Sequence, residues 1–169
     1  MKKKAVIWII AIVVLALVCG FLVYGLWGMK QKEKLNESIS QAWSKANDDD
    51  QPAYLDALAQ ESTYMLEDFQ RGNPWVLTVT VHGVDLGGAL KKADLSAFTA
   101  DSTEKDINDF LILLIKQAAP TKITTRIYAW PEEDGFRIEF SETFIDAMSG
   151  NVYSYAKEAL LGFTGGDVE

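Results

Sequence analysis

Residues 122–142 read KITTRIYAWPEEDGFRIEFSE, and apolar and polar side chains alternate on both sides of the segment 131–135. Successive side chains of a β-strand point to opposite faces, so this alternation predicts two half-buried strands. The Pro, Asp and Gly residues between them predict a turn, and together these features indicate an antiparallel hairpin. Its outer face is predicted to carry Arg126, Tyr128, Trp130 and Arg137.

The register of this hairpin is predicted from the match between its two apolar faces. A slip by one residue would place aromatic side chains on the polar face, so the pattern selects one alignment. This alignment leaves a four-residue loop, 131–134, and favourable pairs on the outer face. The pairs expected on the apolar face are Ile127–Ile138 and Ala129–Phe136. Those expected on the outer face are Arg126–Glu139 and Tyr128–Arg137.

Further elements are predicted on the N-terminal and C-terminal sides of the hairpin. Residues 75–82 alternate like the hairpin strands, and apolar residues elsewhere recur at helical spacing. The expected helices are 30–47, 51–71, 85–98, one from Asp101 or Thr103 to before Pro120, and 143–163 with an interruption at 149–151. The fold class is therefore α+β, with a small antiparallel sheet of about three strands packed against several helices.

Two of these helices depend on particular signals. The helix over 51–71 is predicted from an apolar stripe and from Gly72 at its end. The stripe consists of Leu55, Leu58, Met65, Leu66 and Phe69. In the helix before Pro120, the six apolar residues 110–115 could equally form a buried strand. An acidic residue lies three positions after Asp101 and also after Thr103, and either one forms a capping-box pattern that favours a helix.

An apolar segment precedes all of these elements. Residues 5–28, AVIWIIAIVVLALVCGFLVYGLWG, include no charge, and as a helix they would extend roughly 36 Å, enough to cross the ~30 Å core of a bilayer. Trp8 near one end and Tyr24 and Trp27 near the other are typical of membrane-interface anchors. The segment is too long for a cleaved signal peptide, and the residue before Cys19 is too large for a lipoprotein signal. It predicts an uncleaved, single-pass anchor in the cell membrane.

The anchor divides the chain into five expected segments: a cytoplasmic tail 1–4, the anchor 5–28, a juxtamembrane helix or stalk 29–50, an α+β domain 51–163 and a flexible tail 164–169. Lysines flank the anchor on both sides, so their bias is nearly balanced. The short basic N-terminus resembles ordinary export signals, and we expect it in the cytoplasm with the domain outside. Ala16 and Gly20 form a small-xxx-small pair that could join two anchors in a dimer.

Charge is distributed unevenly along the chain. Three of the 16 Lys and Arg residues precede the anchor, whereas all 24 Asp and Glu residues follow it. Such an acidic domain would repel nucleic acid, which is therefore not an expected partner. The single cysteine lies in the anchor, so the domain contains no disulfide.

Residues suited to catalysis or metal binding are few. His82 is the only histidine, which excludes two-histidine metal sites and leaves one candidate for a histidine-based triad. We predict no catalytic residue, metal site or cofactor. Aromatic and guanidinium groups are enriched at binding surfaces, so the outer sheet face is the candidate site. Its residues are His82, Arg126, Tyr128, Trp130 and Arg137.

The leading hypothesis for function is a membrane-tethered, extracytoplasmic domain without catalytic activity that binds a partner protein or an envelope component. One alternative is a domain that binds a small ligand, or acts as an enzyme, in a cone-shaped cavity behind the sheet. Another is an accessory subunit of a membrane complex. A filled core with an open aromatic sheet face would favour the first, whereas a deep pocket with a buried carboxylate or His82 would favour a cavity.

Two features resemble known families. An opening helical pair with an acidic break at 47–50, followed by an antiparallel sheet, resembles the cone-shaped NTF2-like and cystatin-like domains. The segment 141–151, SETFIDAMSGN, resembles the end of uncharacterised membrane-anchored extracytoplasmic proteins of Gram-positive bacteria. The resemblance implies a location at the cell surface and no particular activity.

Overall fold

Pairs of helices and pairs of strands alternate along the part of the chain that the computed structural model describes, which is residues 26–45, 52–96, 98 and 102–164, with side chains to residue 160. They are α1 (26–45), α2 (Ala53–Glu61), β1 (Thr63–Gln70), β2 (Trp75–Val84), α3 (Leu86–Lys92), α4 (Glu104–Gln117), β3 (Pro120–Glu132), β4 (Gly135–Glu139), α5 (Glu142–Met148) and α6 (Val152–Thr164). The strands form one antiparallel sheet in the order β1-β2-β3-β4. The predicted α+β class is confirmed, with one strand more than expected.

The additional strand is β1, for which the apolar spacing predicted the second half of a helix over 51–71. A register shift just after Leu66 marks a β-bulge in its pairing with β2. Because the bulge adds one residue, the side chains that reach the core are those of Tyr64, Leu66 and Phe69. The step of three residues from Leu66 to Phe69 matches the spacing of a helix. The prediction of a helix over this segment is wrong for that reason.

The hairpin of β3 and β4 is present, but its register differs by two residues from the predicted one. A two-residue turn, 133–134, joins the strands in place of the predicted four-residue loop. The observed pairs are Tyr128–Glu139, Ala129–Ile138, Trp130–Arg137, Pro131–Phe136 and Glu132–Gly135. The four predicted pairs are therefore wrong, whereas the predicted faces are retained because the side-chain period is two.

The position of Pro131 explains this difference. Proline lacks an N–H and is usually found outside paired strands, which is why the prediction placed it in the loop. In the fold it continues β3 opposite Phe136. On the other side of β3, β2 begins at Trp75 opposite Ala129 and does not reach Pro131. No β2 residue therefore needs a hydrogen bond from the N–H that proline lacks.

One face of the sheet is covered by α1 and α5. Leu35 and Ile39, one helical turn apart in α1, are fully buried with Phe144 of α5 against the odd-numbered residues of β2 and β3. The ring of Trp43 meets that of Phe144 edge-on, with centroids 5.5 Å apart. Part of the stretch expected as a stalk outside the domain thus belongs to the core of the domain.

A smaller apolar cluster joins α2, α3 and α4 at one end of the sheet. The Thr103 side chain accepts a hydrogen bond from the Asp106 N–H, and the Asp106 carboxylate accepts one from the Thr103 N–H. This capping box starts α4, which continues through 110–115, so the apolar run is helical. Ile115 then packs in the cluster beside Leu86.

The predicted interruption at 149–151 is confirmed. Gly150 and Asn151 have φ angles of 66° and 62°, which lie in the left-handed region and end α5. α6 extends to Thr164, the first residue of the predicted tail, and the rest of that tail lies outside the described ranges.

The predicted anchor, 5–28, lies outside the described residues except for its last three positions. The same holds for Trp8, Tyr24, Ala16 and Gly20. Among the helices of the described ranges, α1 included, none has the length and apolar character needed to span a bilayer.

We expect Ile39→Ala to lower the free energy of unfolding by about 2–5 kcal/mol, because it removes part of a fully buried side chain and leaves a cavity. Glu37→Ala, at an exposed position of the same helix, should change it by less than about 0.5 kcal/mol. Urea unfolding of the full chain in detergent micelles, followed by tryptophan fluorescence, measures both. Equal effects would show that α1 is not part of the core.

Candidate binding surface

The outer face of the sheet is the face turned away from α1 and α5. It carries the even-numbered residues of β2 and β3 and the odd-numbered residues of β4. Tyr128 is 37% exposed, and Met65 of the neighbouring β1 is 49% exposed. Thr80 is buried, with its Oγ1 3.0 Å from that of Thr124. Over most of the described strands this face is open to solvent.

Aromatic and charged side chains meet at one end of the outer face, in a group that we call the Trp130 cluster (Tyr128, Trp130, Arg137 and Glu139). The Trp130 Nε1 donates a hydrogen bond to Glu139 Oε2 at 3.3 Å, and Arg137 Cζ lies 5.3 Å from the Trp130 ring centroid. A cation–π contact of this kind contributes roughly 0.5–1 kcal/mol at exposed sites. Arg137 Nε is also 3.5 Å from Glu132 Oε1. These contacts orient an indole and a guanidinium toward solvent.

The five predicted site residues do not form one site. Trp130, Arg137 and Tyr128 come together, and Arg126 lies two residues along β3, about 7 Å away. His82 pairs with Lys122, eight residues from Trp130 along β3, so about 27 Å separates the two ends of the set.

His82 lacks the neighbours that acid–base catalysis requires. It is exposed, and its cross-strand neighbours are Thr63 and Lys122. A histidine base is normally oriented by a carboxylate or carbonyl acceptor, and the His82 imidazole forms no hydrogen bond with the described residues. Nor do three metal-ligating side chains come together in the described part of the chain.

An open cleft of about 490 Å³ lies between α1 and the β3–β4 hairpin, and we call it the edge cleft. Ser38, Gln41 and Lys45 of α1 form one wall, and Phe136 and Ile138 of β4 belong to the other. Sequence patterns did not indicate this site, because α1 was expected to stand outside the domain. The sequence feature that could have indicated the cleft is the helical spacing of Ser38, Gln41 and Lys45, which places them on one side of α1.

A second groove, of about 410 Å³, lies between α2, α5 and α6 and is mainly apolar. Tyr54 and Leu55 line it from α2, and Ile145 and Tyr153, which are 44% and 51% exposed, line it from α5 and α6. No sequence pattern indicated this groove, because its residues come from three separate helices.

A polar joint connects α3 to the loop between α5 and α6. Asp85 Oδ1 accepts hydrogen bonds from Asn151 Nδ2 and from the Gly88 N–H, both at 3.0 Å. The bond from Asn151, together with the one from Gly88, lowers the pKa of Asp85. The bond from Gly88 holds the first turn of α3, and the bond from Asn151 ties Asp85 to the loop after α5, so the joint has a structural role.

The residue predicted as an interface anchor within the described part, Trp27, lies at the start of α1. The Arg71 guanidinium is 3.6 Å above the Trp27 ring centroid and 5.6 Å from that of Trp75. α1 thus begins beside the turn between β1 and β2.

Comparison of the chain with protein families, curated proteins and solved structures gives no match. The resemblance to NTF2-like and cystatin-like domains therefore stays a prediction.

We expect the polar joint to contribute to stability in a pH-dependent way. The pKa of Asp85 is lower in the folded chain than in the unfolded chain, so its contribution is present above about pH 4 and is lost as the pH falls through the folded pKa. Asn151→Gly removes the amide donor and tolerates the positive φ, so it should raise the pKa of Asp85 and reduce the loss of stability in acid.

Carboxyl NMR titration and urea unfolding at several pH values measure the two effects. Asn73→Gly, at an exposed position of the β1–β2 turn, is the matched control and should leave the pKa of Asp85 unchanged. An unchanged pKa in Asn151→Gly would contradict the assigned cause.

Proposed function

We propose that this protein is a membrane-tethered, extracytoplasmic binding domain that acts without catalysis and binds a partner protein or envelope component through the Trp130 cluster. The observation that carries the proposal is the cation–π pair of Trp130 and Arg137 on an open sheet face. Tryptophan, tyrosine and arginine are the residues that most often dominate binding energy at interfaces. Contacts with Glu139 and Glu132 hold this pair in place, which lowers the entropy lost on binding.

The filled core favours this proposal over a cavity that binds a small ligand. Leu35, Ile39 and Phe144 occupy the space behind the sheet where a cone-shaped cavity would lie, and all three are 0% exposed. The buried polar residues of the described ranges are Ser62 and Thr80, and neither is a carboxylate. A buried acid–base group, which the alternative requires, is thus missing from the described core.

The proposed tether is the apolar segment 5–28, whose length and lack of charge suit a membrane span. α1 begins beside Arg71 in the β1–β2 turn. β2 starts after this turn at Trp75, whose partner Ala129 precedes Trp130. Because the proposed anchor ends where α1 begins, the proposal puts the Trp130 cluster at the membrane-proximal end of the domain. This position suits a partner that is itself in or at the membrane, as in the accessory-subunit alternative.

The tether and its orientation have a direct test. We expect the full chain to stay in the membrane pellet after carbonate extraction, and a chain without residues 1–25 to become extractable, because the apolar segment is its only predicted span. Protease added to intact cells should digest the domain. A domain that survives in intact cells but is digested after lysis would show that the proposed orientation is wrong.

The binding surface is tested by pull-down of the cross-linked full chain in mild detergent. Trp130→Ala should weaken binding of the recovered partner by roughly 2 kcal/mol, about thirtyfold, because it removes the central aromatic side chain of the cluster. Tyr153→Ala, which removes a 51% exposed aromatic ring from α6, should have no effect. His82→Ala, at the far end of the same face, should also have none. If Trp130→Ala and Arg126→Ala leave every partner bound, the proposed surface is wrong.

A further inference from the structure

The two edges of the sheet differ in how far they are protected. β1 forms one edge, and its regular backbone is interrupted by the bulge after Leu66. The Lys32 Nζ of α1 also donates a hydrogen bond at 3.4 Å to the Glu67 carbonyl oxygen on this strand. Bulges and lysines are means by which proteins prevent an edge from pairing with another strand. β4 forms the other edge and has neither of these features.

The free backbone groups of β4 can be assigned from its pairing. Glu132 and Gly135 close the two-residue turn, and hydrogen-bonded and non-hydrogen-bonded pairs alternate from there. The N–H and C=O groups of Phe136 and Ile138 therefore point away from β3, toward the free edge. Neither N–H group has a hydrogen-bond partner among the described residues. Two donors and two acceptors are thus available to an added strand.

The edge cleft provides space beside these groups. It has a volume of about 490 Å³ and is bounded by Phe136 and Ile138 on one side and by α1 on the other. It is narrow near the turn, where Ser38 Oγ is 3.3 Å from the position that a Cβ on Gly135 would occupy. A groove between an edge strand and a helix is a known geometry for binding an extended peptide.

The charges of the edge cleft favour one kind of peptide. Arg137 is paired with Glu132, whereas Lys45 and Asp134, which also line the cleft, form no ion pair among the described residues. Lys45 follows Ser38 by two helical turns, so it lies farther along α1 from the narrow part of the cleft, whereas Asp134 lies in the turn between β3 and β4. A complementary peptide carries an acidic residue near Lys45 and a basic residue near Asp134.

We propose that the edge cleft binds an extended peptide segment of the partner by β-strand addition to β4, with an acidic residue of the peptide at Lys45. Backbone hydrogen bonds to Phe136 and Ile138 hold the peptide, and the charges select its sequence. This inference rests on the proposed binding function and names the element of the partner that is recognised.

The test uses the full chain in nanodiscs and a phage-displayed library of random peptides long enough to cover β4. Selection should enrich peptides with an acidic residue, and binding of a selected peptide should protect the Phe136 and Ile138 amides from hydrogen exchange. Gln41→Trp places a large side chain in the cleft from an exposed position and should weaken peptide binding about tenfold or more. Ser44→Trp, at an exposed position of α1 outside the cleft, should leave it unchanged. Lys45→Glu should weaken binding of the acidic peptides.

Strand addition is wrong if no peptide is enriched, or if Gln41→Trp and Ser44→Trp bind a selected peptide equally well. It is also wrong if the Phe136 and Ile138 amides become protected without peptide as protein concentration rises, because a second copy of the chain then occupies the edge. A natural partner that is lost with Trp130→Ala but retained with Gln41→Trp would refute strand addition and leave the proposed function standing. A partner retained by both variants would refute both proposals.

Discussion

The packing of α1 against the odd-numbered face of β2 and β3 is the contact on which the other features of this domain depend. Leu35 and Ile39 cover strand residues such as Val79 and Ile127, which would otherwise face water. A small sheet is stable only when one apolar face is buried in this way. The same packing decides which face of the sheet stays open. Because α1 extends past β4, it also forms one wall of the edge cleft.

The two proposed surfaces meet at Arg137. This side chain lies against the Trp130 ring on the outer face and also lines the edge cleft. A strand added to β4 would continue the sheet and widen the outer face next to the Trp130 cluster. One partner could therefore contact both surfaces, with an extended segment paired to β4 and a folded surface against the Trp130 cluster.

Local patterns predicted the strands better than they predicted how strands pair. Apolar and polar residues alternate over 77–82 in β2 and along most of β3 and β4, so the faces of these strands could be assigned from sequence. Register was missed because Pro131 is acceptable within β3 only where β2 does not reach it, a fact about a distant strand. β1 was missed because its bulge converts a period of two into a step of three between Leu66 and Phe69. The Trp130 cluster was partly foreseen, whereas the edge cleft was not, since it depends on the position of α1.

The amino-acid sequence alone indicates the α+β class, the faces of the hairpin, a capped helix that starts at Asp101 or Thr103, the acidic charge of the domain and the uncharged segment 5–28. These properties follow from periodicity, capping and composition, which act over a few residues. Tertiary structure alone decided that α1 joins the core, that His82 lies far from Trp130, and that β4 keeps a free edge beside a cleft. Each of these depends on contacts between segments far apart in the chain, and local patterns carry no information about which segment covers which.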